Sequence, residues 1–194
     1  MTLTVETLTE WMNNFAQKVH ENKDYLSDLD TPIGDSDHGF NMDRGMQAVV
    51  KALTSTPSDV PSALKKVAMA LISTVGGASG PLYGTAFLEM AKKSTETNNL
   101  NELLEAALAG IKKRGGAQKG DKTMVDVWEE LVPEVKDGSL TGDSINKAVE
   151  ATKDMIAKKG RASYLGERSK GHIDPGAQSS GYLFQAMLET EGLL

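Results

Sequence analysis

The sequence predicts an all-α protein: eight helices packed antiparallel, up and down, as one domain over residues 1–194. Three observations carry this. Eight segments place apolar residues three and four apart, the spacing of a helix with one buried face. No segment shows the strict alternation of a half-buried strand. The connections are short, so successive helices should pack as antiparallel neighbours. No repeat, low-complexity tract or linker divides the chain, and a chain of this length buries roughly 70% of the surface its unfolded form exposes.

The first helix covers residues 4–23, with Val5, Leu8, Trp11, Met12, Phe15 and Val19 inward. An Asp-rich loop follows, up to about Phe40. The second helix runs from Asn41 to about Thr54 on Met42, Met46, Val49, Val50 and Leu53. Gly45 lies inside it at a cost of up to about 1 kcal/mol relative to Ala, which a closely approaching neighbour would explain. Asp59 is a good N-cap, and Pro61 fits the first turn of the third helix, which carries Val60, Leu64, Val67, Ala68, Leu71 and Ile72. The fourth runs from about Pro81 to Lys93. The fifth carries Leu100, Leu103, Leu104, Ala107, Leu108 and Ile111. The sixth, about 122–135, shows Val125, Trp128, Leu131 and Val132, with Pro133 marking its last turn. Asp143 is the expected cap of the seventh, on Ile145, Ala148, Val149, Thr152, Met155 and Ile156. The eighth spans about 176–191.

An up-down order puts the connections after helices one, three, five and seven at the same end. Those stretches, 24–40, 73–84, 114–122 and 160–176, hold 13 of the 19 glycines. That end therefore suits a ligand approaching backbone closely, while the other connections are plain turns.

Composition excludes several functions. The chain has no cysteine, so disulfides, thiolate catalysis and zinc-thiolate sites are ruled out. A net charge of −6 argues against sequence-independent binding to nucleic acid or to anionic membranes. No apolar run approaches the roughly 20 residues that span a bilayer. The first residues have neither the basic region nor the apolar core of a signal peptide, and a cytoplasmic location is the default expectation.

The stretch richest in chemistry is Asp30-Thr31-Pro32-Ile33-Gly34-Asp35-Ser36-Asp37-His38-Gly39-Phe40-Asn41. Asp30, Asp35 and Asp37 crowd negative charge into one short loop, and hard cations such as Mg²⁺ take oxygen ligands at about 2.0–2.1 Å. The loop is expected to hold Mg²⁺, and the metal a nucleotide. A solvated acidic turn is the alternative, since Asp and Gly are ordinary turn residues. An EF-hand fails, because Phe40 and Met46 stand where its glycine and final glutamate belong. His38 suits a hydrogen bond to phosphate or nucleotide better than a bond to Mg²⁺. Asn41 opens a helix, and Gly76-Gly77-Ala78-Ser79-Gly80 precedes another; free N–H groups at helix starts attract anions. The glycine run is also consistent with a tight helix–helix turn. Pro81 stands where a Gly-x-Ser-x-Gly elbow needs its last glycine.

Gly115-Gly116-Ala117-Gln118-Lys119-Gly120-Asp121-Lys122-Thr123 is close to a P-loop. Asp121 intrudes, however, and a helix precedes it where a strand is required. Lys112, Lys113, Arg114, Lys119 and Lys122 are expected mostly to be a solvated helix end. The last loop, from Gly160 to Pro175, is long for a helix–helix connection, and such loops are usually functional. Arg161 or Arg168 offers a planar fork for phosphate.

Five ordered motifs together resemble the nucleotide-binding L subunit of dihydroxyacetone kinase, over the whole chain. They are Gly34-Asp35-Ser36-Asp37-His38-Gly39, Gly76-Gly77-Ala78-Ser79-Gly80-Pro81-Leu82-Tyr83-Gly84, Gly120-Asp121-Lys122-Thr123-Met124, Gly160-Arg161-Ala162-Ser163-Tyr164-Leu165-Gly166-Glu167-Arg168 and Gly171-His172-Ile173-Asp174-Pro175-Gly176-Ala177. The resemblance implies an eight-helix antiparallel barrel with ADP or ATP at one end, bound through two Mg²⁺ ions. It implies Asp30, Asp35 and Asp37 as metal ligands. It implies His38, Gly39, Phe40, Asn41, Ser79, Gly80, Gly115, Met124, Arg161, Asp174, Pro175 and Gly176 as nucleotide contacts. Ser36 departs from the pattern, since the family often has Gly there.

The resemblance also implies partners: a separate K subunit that binds dihydroxyacetone, and a phosphotransferase-system phosphoryl carrier that recharges bound ADP. Two other readings stand beside it. One is a regulatory relative that binds nucleotide and signals to a transcription factor. The other is a metal-dependent hydrolase, in which an Asp-bound metal activates water.

Overall fold

Helix starts in this chain are fixed by side-chain caps. Thr4, Asp59, Asn99, Thr123, Thr141 and Asp174 each accept a hydrogen bond from a backbone N–H in the first turn of the helix that follows. Such a cap is worth about 1 kcal/mol. In the computed structural model, which describes residues 1–194, these caps open α1 (Val5–Glu21), α4 (Val60–Thr74), α6 (Leu100–Gly115), α7 (Met124–Asp137), α8 (Gly142–Ala151) and α9 (Pro175–Glu189). The remaining helices are α2 (Lys23–Asp30), α3 (His38–Leu53) and α5 (Ser79–Lys93). Two 3₁₀ segments, Thr152–Asp154 and Arg161–Ser169, lie between α8 and α9. There is no strand; the single isolated bridge, Thr2 to Asn99, pins the N-terminus beside the start of α6.

Eight helices close a ring. α1 packs on α3, α3 on α4, α4 on α5, α5 on α6, α6 on α7, α7 on α8, α8 on α9, and α9 returns to α1. α8 has only 10 residues, and α9 also packs directly on α7. The inward faces form one cluster of 49 buried apolar residues. Its aromatic members pair as Trp11 with Phe87, Phe15 with Tyr83, and Trp128 with Phe184, the last edge to face with centroids 5.2 Å apart. Each fully buried large side chain contributes roughly 1.5–3 kcal/mol of transfer free energy.

The ring matches the eight-helix antiparallel expectation; the ninth helix, α2, lies outside it. Residues 23–30 read as loop because Asp24, Asp28 and Asp30 crowd them, yet Leu26 and Asp30 are buried. Asn22 ends α1 and its amide donates back to the Lys18 carbonyl at 2.8 Å, so the chain restarts as a second helix against α3. Three smaller differences have local causes. α8 is capped by Thr141, whose hydroxyl takes the Ser144 N–H, and Asp143 only enters the first turn. Pro133 is inside α7, which continues to Asp137. Met155 and Ile156 lie past the end of α8. Gly45 has the close neighbour expected of it: a Cβ there would sit 2.0 Å from Cγ2 of Val75, the residue that ends α4.

Candidate functional site

α2 ends at Asp30, and the next seven residues fold back over it. The Asp30 carboxylate is nearly buried. Its Oδ2 accepts the N–H groups of Asp37 (3.0 Å) and His38 (3.3 Å). Asp37 occupies the N-cap position of α3 but makes no side-chain cap bond. Asp30 therefore caps α3 from a distance. The loop between them is tight: a Cβ on Gly34 would lie 1.8 Å from Asp30 Oδ1. Ser36 takes the left-handed conformation, with φ 65°, which is why glycine suits that position. The result brings one carboxylate oxygen from each of Asp30, Asp35 and Asp37 within 4.8 Å of the others. Asp35 also pairs with Arg161, Oδ2 to Nη2 at 2.9 Å. Three hard oxygen donors, with no thiol nearby, suit Mg²⁺.

The triad borders a cavity of about 360 Å³, within the range of small-ligand sites. All four glycine-rich connections contribute to its wall, so they do share one end of the ring. α3, α5, α7 and α9 all begin at this wall, and their first N–H groups and dipoles favour anions there. The lining also includes the apolar residues Pro81, Leu82, Ile111, Ala117, Met124 and Val125. The cavity thus combines groups fit for phosphate and cation with apolar side chains fit for a flat ring.

Of the residues expected from the sequence, His38, Asn41, Ser79, Gly115, Met124, Arg161, Asp174, Pro175 and Gly176 line the cavity beside the three aspartates. Gly39, Phe40 and Gly80 do not. Gly39 is turned against the Lys23 carbonyl, Gly80 packs under the Val75 carbonyl, and the Phe40 ring is 49% exposed. Arg168 is also absent from the wall, leaving Arg161 as the arginine of the last loop that reaches it.

His38 is buried and held at both ring nitrogens. Nδ1 pairs with Ser79 Oγ at 3.2 Å and Nε2 with Ser179 Oγ at 3.0 Å. Burial drives its pKa down to about 4, against an upward push from Asp37. The ring is therefore neutral near pH 7, with one nitrogen donating and the other accepting. Ser179 Oγ continues to Tyr83 OH (2.8 Å), Tyr83 OH to Ser180 Oγ (2.9 Å), and Trp128 Nε1 donates to Ser180 Oγ (3.1 Å). This polar chain runs from the site into the barrel. It fixes Ser79, at the start of α5, relative to α9.

Two further features were not legible beforehand. Lys122 is fully buried with φ 60°, and its ammonium donates to the carbonyls of Thr152 and His172. It thus ties the α8–α9 segment to the start of α7; burial lowers its pKa while Asp174 and other carboxylates oppose that. Asp174 caps α9 through the Ala177 N–H at 2.8 Å, and desolvation raises its pKa to about 7 against that hydrogen bond and Lys122. Near the P-loop-like stretch, Asp126 accepts the Gly120 and Thr123 N–H groups and Asp121 accepts that of Gln118. The acids of this loop are consumed by its own backbone. Lys112 and Lys119 pair with Glu129 and Glu130 on α7, as a solvated helix end should, whereas Lys122 is buried and Arg114 lines the cavity, both departing from that expectation.

The DAK2 domain family matches residues 32–189. The chain is 55% identical over 188 residues to the PTS-dependent dihydroxyacetone kinase, ADP-binding subunit DhaL of Lactococcus lactis, covering 96% of this chain and 98% of that one. It is 39% identical to the PEP-dependent dihydroxyacetone kinase, ADP-binding subunit DhaL of Escherichia coli, covering 96% and 97%. The fold resembles the crystal structure of the dihydroxyacetone kinase from C. freundii in complex with AMP-PNP and Mg²⁺. There the TM-score is 0.78 at 22% identity, covering 98% of this chain and 35% of that chain, so this chain spans about a third of that kinase. By these matches the chain belongs to the DAK2 domain family, among the ADP-binding subunits of phosphotransferase-system-dependent dihydroxyacetone kinases.

Proposed function

We propose that this chain, acting as a single domain, is the nucleotide-carrying subunit of a phosphoenolpyruvate-dependent dihydroxyacetone kinase and works in the cytoplasm. ADP stays bound and is recharged by a phosphotransferase-system phosphoryl carrier. The γ-phosphoryl then passes to dihydroxyacetone held on a separate K subunit. The observation that carries this reading is the carboxylate triad in a cavity that is also lined by apolar side chains and at whose wall four helices begin.

The residues divide the work. Asp30, Asp35 and Asp37 would hold two Mg²⁺ ions, which when bound neutralise the phosphate charge that develops during transfer. The first N–H groups of α3, α5, α7 and α9 lie at the cavity wall and offer donors fixed by the helices. Ser79, Asn41 and Gly176 would take the phosphates, and Arg161 adds a planar donor fork. Leu82, Ile111, Gly115 and Met124 would take the base. Gly39 and Gly80 let the starts of α3 and α5 lie close to the Lys23 and Val75 carbonyls, and Phe40 is off the cavity wall. No side chain of the chain acts as a nucleophile. Its contribution is positioning and charge stabilisation, and phosphoryl transfer depends mostly on these.

The test is a turnover experiment. ATP-loaded protein is mixed with a K subunit and dihydroxyacetone, without any phosphotransferase-system protein. Product is expected as a burst near one equivalent per chain, then a stall despite excess free ATP. Adding the phosphorylated carrier should restart turnover. Sustained turnover on free ATP alone would show a rapidly exchanging substrate and end the carried-cofactor reading.

A further inference from the structure

His38 and Ser79 line the cavity, but the hydrogen bonds that hold them end deep in the barrel. The links run from Trp128 Nε1 to Ser180 Oγ, Tyr83 OH, Ser179 Oγ, the His38 ring and Ser79 Oγ. Their lengths are 3.1, 2.9, 2.8, 3.0 and 3.2 Å. Trp128, Tyr83, Ser179 and Ser180 are buried, and none of them belongs to the cavity wall. The direction of this relay follows from counting protons. An indole N–H donates and cannot accept. Ser180 Oγ therefore accepts from Trp128, and Tyr83 OH is the remaining partner for its own proton. Tyr83, having accepted, donates to Ser179 Oγ. Reversing either link would leave a buried hydroxyl proton without an acceptor, which folded proteins nearly always avoid.

The choice falls at Ser179. Its proton has two acceptors in reach, His38 Nε2 at 3.0 Å and the Gly176 carbonyl at 3.1 Å. If the proton goes to Nε2, the ring carries its own on Nδ1. Nδ1–H then donates to Ser79 Oγ, and the Ser79 hydroxyl proton is left for the cavity. If it goes to Gly176, the ring proton sits on Nε2. Ser79 then spends its proton on Nδ1, and only lone pairs face the cavity. The Gly176 carbonyl lies within α9, where the helix ladder supplies a donor, whereas Nε2 has Ser179 alone. The three carboxylates that border the cavity and the phosphates it is proposed to bind repel lone pairs and attract a donor. We infer that Trp128, Ser180, Tyr83 and Ser179 are positioning residues for the nucleotide. They hold His38 with its proton on Nδ1, so that Ser79, at the start of α5, presents a hydroxyl donor to a phosphate oxygen. The inference rests on the function proposed above. A donor aimed in advance costs no reorientation when charge develops on the phosphates. Tyr83 is the link between α5 and α9, and it acts on the nucleotide only through Ser79.

The experiment reads tautomer and affinity rather than turnover. The full chain, labelled with ¹⁵N-histidine, is loaded with ADP and Mg²⁺ near neutral pH, and long-range ¹⁵N–¹H spectra report which nitrogen of His38 is protonated. The chain has three histidines, and His38→Gln identifies the His38 signals. A proton on Nδ1 is expected. In calorimetric titration with ADP and excess Mg²⁺, Ser79→Ala is expected to weaken binding at least about tenfold, the worth of a hydrogen bond to a charged group. Tyr83→Phe keeps the ring that packs on Phe15 and removes only the hydroxyl. It is expected to weaken binding severalfold and to mix the two tautomers. In the Ser79→Ala background the same change should cost no more than about twofold further, because the relay then ends on no donor. A tyrosine that merely supports the fold would cost the same in both backgrounds. A proton on Nε2 in the ADP-bound wild-type chain, or additive losses in the double variant, would overturn the inference. The tautomer is read on the wild-type chain, so it decides the matter even where a variant folds poorly. A wild-type chain that takes up no ADP would overturn the proposed function instead.

Discussion

Asp30 is placed to serve both the fold and the site, whereas Asp35 and Asp37 serve the site alone. The side chains of Asp35 and Asp37 accept no backbone hydrogen bond, while Asp30 Oδ2 takes two N–H groups at the start of α3. Comparing Asn with Ala at each position separates the two duties. Both substitutions remove one charge from the triad, so relief of repulsion is common to them. They differ in whether an acceptor oxygen remains. At position 30 that oxygen is worth two neutral hydrogen bonds, one of them long, or about 1–2 kcal/mol in total, the same scale as a helix cap. At position 37 it is worth close to nothing, and at 35 it meets only the exposed Arg161 guanidinium, a contact of little worth at the surface. Urea unfolding in EDTA should therefore show Asp30→Asn more stable than Asp30→Ala by about 1–2 kcal/mol. The Asn and Ala variants at 35 should match within about 0.5 kcal/mol, as should those at 37. All six variants should lose bound ADP, read by mass spectrometry of undialysed protein. An equal Asn–Ala gap at all three positions would refute the remote cap, and full ADP retention in the variants at 35 and 37 would refute the metal site.

Ser36→Gly should stabilise the chain by up to about 1 kcal/mol, because φ 65° strains a residue with a Cβ and glycine returns part of that gain as unfolded-state entropy; denaturant midpoints measure it, and no change or a loss would count against the strain. Insertions within 55–58 or 138–141 should leave ADP bound, while insertions within 76–80 should abolish binding; equal behaviour of the two sets would contradict the placement of the glycine-rich connections at one end. Lys122→Met should leave the Thr152 and His172 carbonyls without their donor and speed limited proteolysis between residues 155 and 171 at least severalfold, whereas an unchanged cleavage rate would remove Lys122 as the tie of that segment.

The helices were legible because the inward positions repeat without interruption: Trp11, Phe15, Phe87, Leu103, Trp128 and Leu183 are all fully buried. The end that carries the site was legible for a different reason, the uneven distribution of glycine. What escaped were features whose cause is another part of the chain. α2 has too few apolar positions to announce itself and is held by α3 and α9. The cap of α3 lies seven residues upstream. Lys122 sits among turn residues in the sequence, and only the fold supplies the two carbonyls that bury it.

The same reasoning explains why α9, apparently an apolar helix, carries Ser179 and Ser180 fully buried. A His38 imidazole placed against the carboxylates needs partners for both nitrogens, and burial has already made it neutral. Ser79 and Ser179 satisfy it; Tyr83, Ser180 and Trp128 then satisfy the serines in turn. Buried polar groups are nearly always paired, because each orphan costs about 1–3 kcal/mol. The demand for one neutral, oriented side chain at the site therefore propagates from α3 to α5, α9 and α7 and fixes buried residues that no local pattern would select. The Tyr83 side chain carries the polar chain from α5 across the interior to Ser179 and Ser180 on α9. The geometry of the phosphate side is thus set from within the core as much as from the loops.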